Sequence, residues 1–198
     1  MKRGLELRGF AASREMLCLM ALTATMYRFN IQLSDVDRGV YETLDLRVAQ
    51  QPSETAEYML TRVLAWCLEY TEGIALTEGV AAGDEPAVLV RDLTGRITAW
   101  IEVGAPDADR LHRGSKLAGR VAVYTHRDPR IVLDQLASKK IHGGEAIPIY
   151  TFGRGFIEKV AAILPRRAAL SLTITERQLY LDVDGQSFST TLEERMVG

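Results

Sequence analysis

The strongest constraint on the fold is the stretch Asp84-Glu85-Pro86-Ala87-Val88-Leu89-Val90-Arg91-Asp92-Leu93-Thr94-Gly95-Arg96-Ile97-Thr98-Ala99-Trp100-Ile101-Glu102-Val103-Gly104. Two runs of β-formers flank Thr94-Gly95, and glycine supplies the positive φ that a tight hairpin turn requires. With Leu93 opposite Arg96, the register sets Glu102 against Ala87. Side chains alternate with period two, so Glu85 becomes the diagonal neighbour of Glu102 on the same face. Two carboxylates at one end of a hairpin repel unless solvent or a cation lies between them. Glu85 and Glu102 are therefore expected within reach of one cation, roughly 3–6 Å apart. Asp84 alternates onto the opposite face. Asp92 lies in the same hairpin and is an alternative partner for Glu102, but beside a tight turn its expected role is an Asx interaction.

The rest of the chain reads around this hairpin. Leu22 to Leu33 and Val40 to Ala49 alternate as a second, longer hairpin, joined by the turn-rich Ser34 to Gly39. Ser53 is the expected N-cap of a helix with Glu54 in its first turn. Met59, Leu60, Val63, Leu64, Cys67 and Leu68 recur at helical spacing through Tyr70, with Gly73 as the stop. Thr77 to Gly83 reads as a loop. Asp107 caps a helix to about Ala118, Val121 to Thr125 is a buried strand, and Pro129 opens a helix through Leu136. Pro148 makes Ile147 to Tyr150 an expected edge strand. Phe156, Ile157, Val160 and Ile163 mark a helix before Pro165. A β-rich tail follows, with Asp184-Gly185 as a hairpin turn. Helices alternating with strands imply an α/β protein with a mixed sheet covered by helices on both faces. The short helix after Glu102 implies a right-handed crossover to a parallel neighbour.

At 198 residues the chain suits one domain with a sizeable core, and 47% hydrophobic content is ordinary for a globular protein. The net charge of −2 gives no global pull toward nucleic acid or anionic membranes, so any nucleic-acid contact needs a local basic patch. Cys18 and Cys67 form no disulfide framework or zinc pattern, which fits a reducing cytoplasm. In Met1 to Leu19, Arg8, Arg14 and Glu15 interrupt any apolar core, and Met16 to Leu22 is too short to span a membrane. Residues 1–19 read as a poorly ordered leader and residues 20–198 as the domain.

Leu33-Ser34-Asp35-Val36-Asp37-Arg38-Gly39-Val40-Tyr41-Glu42 resembles a signature of the bacterial YaeQ family. So do Pro52-Ser53-Glu54-Thr55, Asp92-Leu93-Thr94-Gly95, Trp100-Ile101-Glu102-Val103-Gly104 and Val123-Tyr124-Thr125. The likeness runs from Met20 nearly to the C-terminus. It implies a restriction-endonuclease-like core of the PD-(D/E)XK kind, with an added N-terminal hairpin and C-terminal β tail. In such nucleases an acid on one strand and an acid-x-lysine on the next hold Mg²⁺ and orient the attacking water. A glutamate from the preceding helix often joins them. Glu102 occupies the second acidic position, but Gly104 stands where the lysine belongs and Ala87 follows Pro86 where the first acid belongs. Glu85 must then substitute, with Asp84 as a further ligand and Glu57 assisting from its helix.

Arg110, Arg113 and Lys116 share a helix face just after Glu102. The two arginines suit phosphate anchoring, because arginine does not readily give up its proton, and Lys116 stands in for the missing lysine. A solvated basic face explains the same three residues. Trp100 shares the face of Glu102 and is expected to pack beneath it. Two functions follow. One is Mg²⁺-dependent hydrolysis of nucleic-acid phosphodiesters by Glu85, Glu102 and Lys116. The other is a binding module that keeps the fold, lacks the lysine, and contacts nucleic acid or a protein partner.

Overall fold

The computed structural model describes residues 24–79, 83–137 and 139–197, so the leader lies outside the described residues. A first hairpin pairs β1 (Thr25–Asp35) with β2 (Val40–Gln50). Helix α1 (Ala56–Leu68) follows, then β3 (Ile74–Leu76), β4 (Val88–Arg91) and β5 (Ile97–Val103). Helix α2 (Ala108–Leu117), β6 (Arg120–Thr125), α3 (Pro129–Leu136), β7 (Pro148–Phe152) and α4 (Phe156–Ile163) alternate after it. The tail is β8 (Arg167–Thr175), β9 (Gln178–Val183) and β10 (Gln186–Met196). One ten-stranded sheet results, in the order β2-β1-β8-β9-β10-β7-β6-β5-β4-β3. Among the described residues, only β1–β8, β5–β6 and β6–β7 pair in parallel. The expected crossover from β5 through α2 to a parallel β6 is present.

Hydrophobic residues divide between two cores. The larger gathers α1 and α4 against one face of the sheet, with Phe29, Leu60, Ile101, Leu172 and Leu181 among its members. The smaller packs Trp100, Leu111, Val123, Val132 and Ile149 between the other face and helices α2 and α3. Every residue from Met59 to Leu68 is buried, so α1 is enclosed on all sides beyond its first turn. It touches β2, β3, β4, β5, β6 and α4, which places it inside the curl of the sheet. Arg62 shares this enclosure and is 1% exposed. Its guanidinium donates to the Ala49 carbonyl on β2 at 2.9 Å and to the Thr77 carbonyl just after β3 at 2.8 Å. Since β2 and β3 are the outermost strands of the sheet, Arg62 ties its two ends together across the helix.

Several sequence expectations need correction. Thr55, not Ser53, caps α1, accepting the Tyr58 amide on its hydroxyl, and the helix ends at Leu68 before Gly73. The short strand β3 lies where no strand was expected. Strand β7 is interior, between β10 and β6, rather than an edge. Pro148 is its first residue, where the missing N–H costs no ladder bond. Helices cover both faces only around β4 to β7. On β1, β8 and β9 the residues alternate buried and exposed, so that part of the sheet turns one face to solvent. In the β4–β5 hairpin the ladder runs Val88↔Ile101, Leu89↔Trp100 and Val90↔Ala99, then slips to Arg91↔Ile97 at a bulge. The turn therefore closes between Asp92 and Arg96 rather than between Leu93 and Arg96.

Candidate functional site

Trp100 and Glu102 project from the same face of β5, as alternation requires. Glu102 is 3% exposed. Its Oε1 accepts the Trp100 indole N–H at 2.8 Å and Arg110 Nε at 3.0 Å, and its Oε2 accepts Arg110 Nη2 at 3.3 Å. Helix α2 brings Arg110 there because Gly114 lets it press on the indole. A Cβ at Gly114 would lie 2.6 Å from the Trp100 ring. Asp107 caps α2 by accepting the Arg110 amide at 2.8 Å. Arg110 also donates to the carbonyls of Gly83 at 3.0 Å and Glu85 at 2.6 Å.

The arrangement separates the residues that the hairpin pattern put together. Glu85 reaches the Glu102 neighbourhood with its main-chain carbonyl, through Arg110. Its carboxylate pairs with Arg91 at 3.1 Å on the exposed side of the hairpin. Asp84 is exposed and pairs with Arg113 at 2.6 Å, so Arg113 faces outward. Lys116 lies in the last turn of α2, about 9 Å along the axis from Arg110. Glu57 is half-buried in the first turn of α1, where its carbonyl accepts the Thr61 hydroxyl at 2.7 Å. Asp92 takes the Asx role: its Oδ1 accepts the amides of Thr94 at 2.9 Å and Arg96 at 3.1 Å. These bonds, led by that from the Thr94 hydroxyl, hold its pKa below the ordinary value.

Gly104 has a physical reason to be glycine. Its φ is +87°, and its amide donates to the Tyr124 carbonyl at 2.8 Å. This left-handed residue turns the chain out of β5 toward α2. A Cβ there would also meet the Tyr58 ring at 3.4 Å. Restoring the motif lysine by Gly104→Lys is thus expected to cost roughly 1–3 kcal/mol in urea unfolding. A variant as stable as the parent would show that this turn carries no strain.

A cleft of about 470 Å³ opens beside Glu102, at the C-terminal ends of the parallel strands β5 and β6, lined also by Glu54, Tyr58, Arg110, His126 and Arg127. Carboxyl ends of parallel strands are where α/β sheets place ligands. The N-terminal residues Thr55 of α1 and Asp107 of α2 line the same cleft. Burial pushes the Glu102 pKa up, against the Arg110 ion pair and the Trp100 hydrogen bond. Burial, then the Glu102 charge, raises Tyr58 to about 12, so its phenol stays protonated. Glu54 is 5% exposed and stands 3.1 Å from Arg62. Burial raises the Glu54 pKa and lowers that of Arg62. The sequence offered one signal for this second pair: Arg62 is a charge set within the run of apolar positions of α1. Tyr58, His126 and Arg127 carried none.

The donor set decides how well Mg²⁺ would fit. A hard cation needs several oxygen ligands facing one point. Both oxygens of Glu102 are already bonded to Arg110, and Glu85 and Asp84 are drawn to other arginines. Among the described residues, no group of three or more His, Cys, Asp or Glu is placed to hold a metal ion. As arranged, these residues do not form a ready Mg²⁺ site.

Fold and site together define a mixed α/β protein whose large, mostly antiparallel sheet is flanked by helices, with an arginine-paired carboxylate buried at the parallel strands. A family model described as YaeQ protein matches residues 20–192. The protein called Uncharacterized protein YaeQ in Escherichia coli (strain K12) is 32% identical over 175 residues, covering 87% of this chain and 96% of its own length. The protein of the same name in Salmonella typhi is 32% identical over 164 residues, covering 82% and 90%. The crystal structure of YaeQ protein from Pseudomonas syringae superposes with a TM-score of 0.80 at 32% identity, covering 88% of this chain and 98% of that one. The YaeQ protein of Xanthomonas axonopodis pv. citri gives 0.79 at 28% identity, covering 88% and 99%. This chain belongs to the YaeQ family. Among the described residues, no helix is long and apolar enough to cross a membrane.

Proposed function

We propose that the cleft beside Glu102 binds the phosphodiester backbone of nucleic acid, on a restriction-endonuclease-like scaffold whose Mg²⁺ site is not preassembled. The observation that supports this reading is the commitment of Glu102 to Arg110, with glycine at the lysine position. The first turns of α1 and α2 and exposed Arg127 supply contacts suited to phosphate oxygens. Asp107 offsets part of that attraction. The order of hairpin, α2 and parallel β6, with Glu102 on the second strand, supports the nuclease-like reading of the scaffold.

Metal-dependent hydrolysis is the second reading, and one observation favours it. The Arg110 side chain is 26% exposed, so it can turn toward an arriving phosphate and release the Glu102 carboxylate to a cation. Fluorescence anisotropy with single- and double-stranded DNA and RNA, across a salt series and with EDTA or Mg²⁺, tests the first reading. Binding should weaken with salt, and Arg127→Gln should lower the slope by about one counterion. Absent binding, or binding indifferent to Arg127→Gln, would reject this cleft as the site. For the second reading, melting temperature should rise with Mg²⁺ or Mn²⁺ in the parent and not in Glu102→Gln, with cleavage following the same pattern.

A further inference from the structure

The cleft holds a base that neither reading uses. Thr61 is fully buried on α1, and its hydroxyl gives its one proton to the Glu57 carbonyl at 2.7 Å. The same oxygen lies 3.2 Å from Nδ1 of His126, the residue that follows β6 and lines the cleft. With the hydroxyl proton directed at Glu57, that contact is a hydrogen bond only when Nδ1 carries the hydrogen and donates it. Neutral imidazole has a single N–H, so Nε2 is left with a lone pair. Burial first, and then Arg127, hold the His126 pKa below its ordinary value, while Glu158 on α4 and Glu57 on α1 pull weakly the other way. Burial and Arg127 thus favour the neutral ring over the imidazolium.

Its neighbours leave this role to it. Among the described residues lining the cleft, Glu54 and Glu102 are paired with arginines, Asp107 caps α2, and Tyr58 keeps its proton. A lone imidazole base without a metal-activated water suits a substrate that carries its own nucleophile. In RNA the 2′-hydroxyl is held beside the phosphorus, and such intramolecular attack gains greatly from proximity. We propose that His126 Nε2 accepts the proton of an RNA 2′-hydroxyl in this cleft, which then cleaves RNA without a metal ion. The O2′–H bond breaks as its proton passes to Nε2, and O2′ forms a bond to phosphorus. The P–O5′ bond breaks with its electron pair on O5′, which takes a proton from water. The imidazolium returns its proton to the hydroxide so formed. The products are a 2′,3′-cyclic phosphate and a 5′-hydroxyl end. Arg127, exposed at the cleft, holds the phosphate oxygens, and Thr61 is a positioning residue that sets the tautomer.

This inference rests on the reading that the cleft binds phosphodiesters, and the test separates the two. A labelled RNA and the DNA of the same sequence are incubated with the full chain in EDTA, with binding and cleavage read in parallel. RNA should be cut to cyclic-phosphate ends, and DNA should bind and stay intact. His126→Gln should keep RNA affinity and lose at least about 100-fold in rate, the lower range for a general base. It also serves as the control for a contaminating ribonuclease. Thr61→Val should lower the rate and Thr61→Ser should restore it. The parent rate should fall in acid, with its midpoint below that of free imidazole. Should His126→Gln melt below the assay temperature, His126→Asn and the acid limb decide instead. RNA bound but uncut, His126 variants as fast as the parent, or no acid limb would each overturn the inference and leave the binding site standing. If neither RNA nor DNA binds, both fail together.

Discussion

Arg62→Met is expected to be the most damaging single change among the described residues, lowering the unfolding free energy by about 3–5 kcal/mol. Methionine fills much of the same volume, so the loss is electrostatic rather than a cavity. It leaves the Glu54 carboxylate buried without its partner and the Ala49 and Thr77 carbonyls without their donor. It also releases the tie between the outermost strands β2 and β3. Removing both charges by Glu54→Leu with Arg62→Met should recover much of the loss, because a well-packed apolar pair often matches a buried ion pair. Urea unfolding of the parent, the single variants and the double variant measures the coupling. Single and double variants that fall equally far would show that packing, not pairing, holds this helix in place.

Arg110→Ala is the second large effect, and its dependence on pH identifies the group responsible. Burial already places the folded pKa of Glu102 above that of the unfolded chain, and Arg110 is the main force opposing that rise. Without Arg110 the pKa climbs further. A carboxyl whose folded pKa is raised contributes stability fully below its unfolded pKa and loses that contribution as pH rises through the folded pKa. The gap between parent and variant should therefore be small in acid and widen to about 3 kcal/mol at neutral pH. The lost bonds to the Gly83 and Glu85 carbonyls add an offset of about 1 kcal/mol each that does not change with pH. Urea unfolding at a series of pH values reads this directly. A gap of the same size at every pH would show that Glu102 is not the group left unpaired.

Glu85 and Glu102 do not meet over one cation, because each carboxylate pairs with a different arginine. The hairpin body keeps the register that would set Glu102 against Ala87, because Val88 pairs with Ile101 one step further in. Yet β4 begins at Val88, so Glu85 lies outside the strand and its side chain need not alternate with the ladder. Arg91, beside the bulge, then draws its carboxylate away. Arg110 was legible as a basic residue following Glu102, but not as the partner that covers it. That contact depends on how closely α2 packs on Trp100, which Gly114 permits.

Elements marked by local chemistry could be read from the residues alone. Asp107 begins α2 by accepting an amide, Pro129 opens α3, and Asp184-Gly185 turns β9 into β10, because caps and turns act within a few residues of themselves. Those boundaries, the α/β class and the family are legible in the residues alone. Long-range packing instead makes Pro148 start an interior strand, lets Arg62 tie the sheet across α1, and closes Glu102 on Arg110 in a cleft shared with His126. These depend on which distant segments pack together, and burial then fixes which charges must pair.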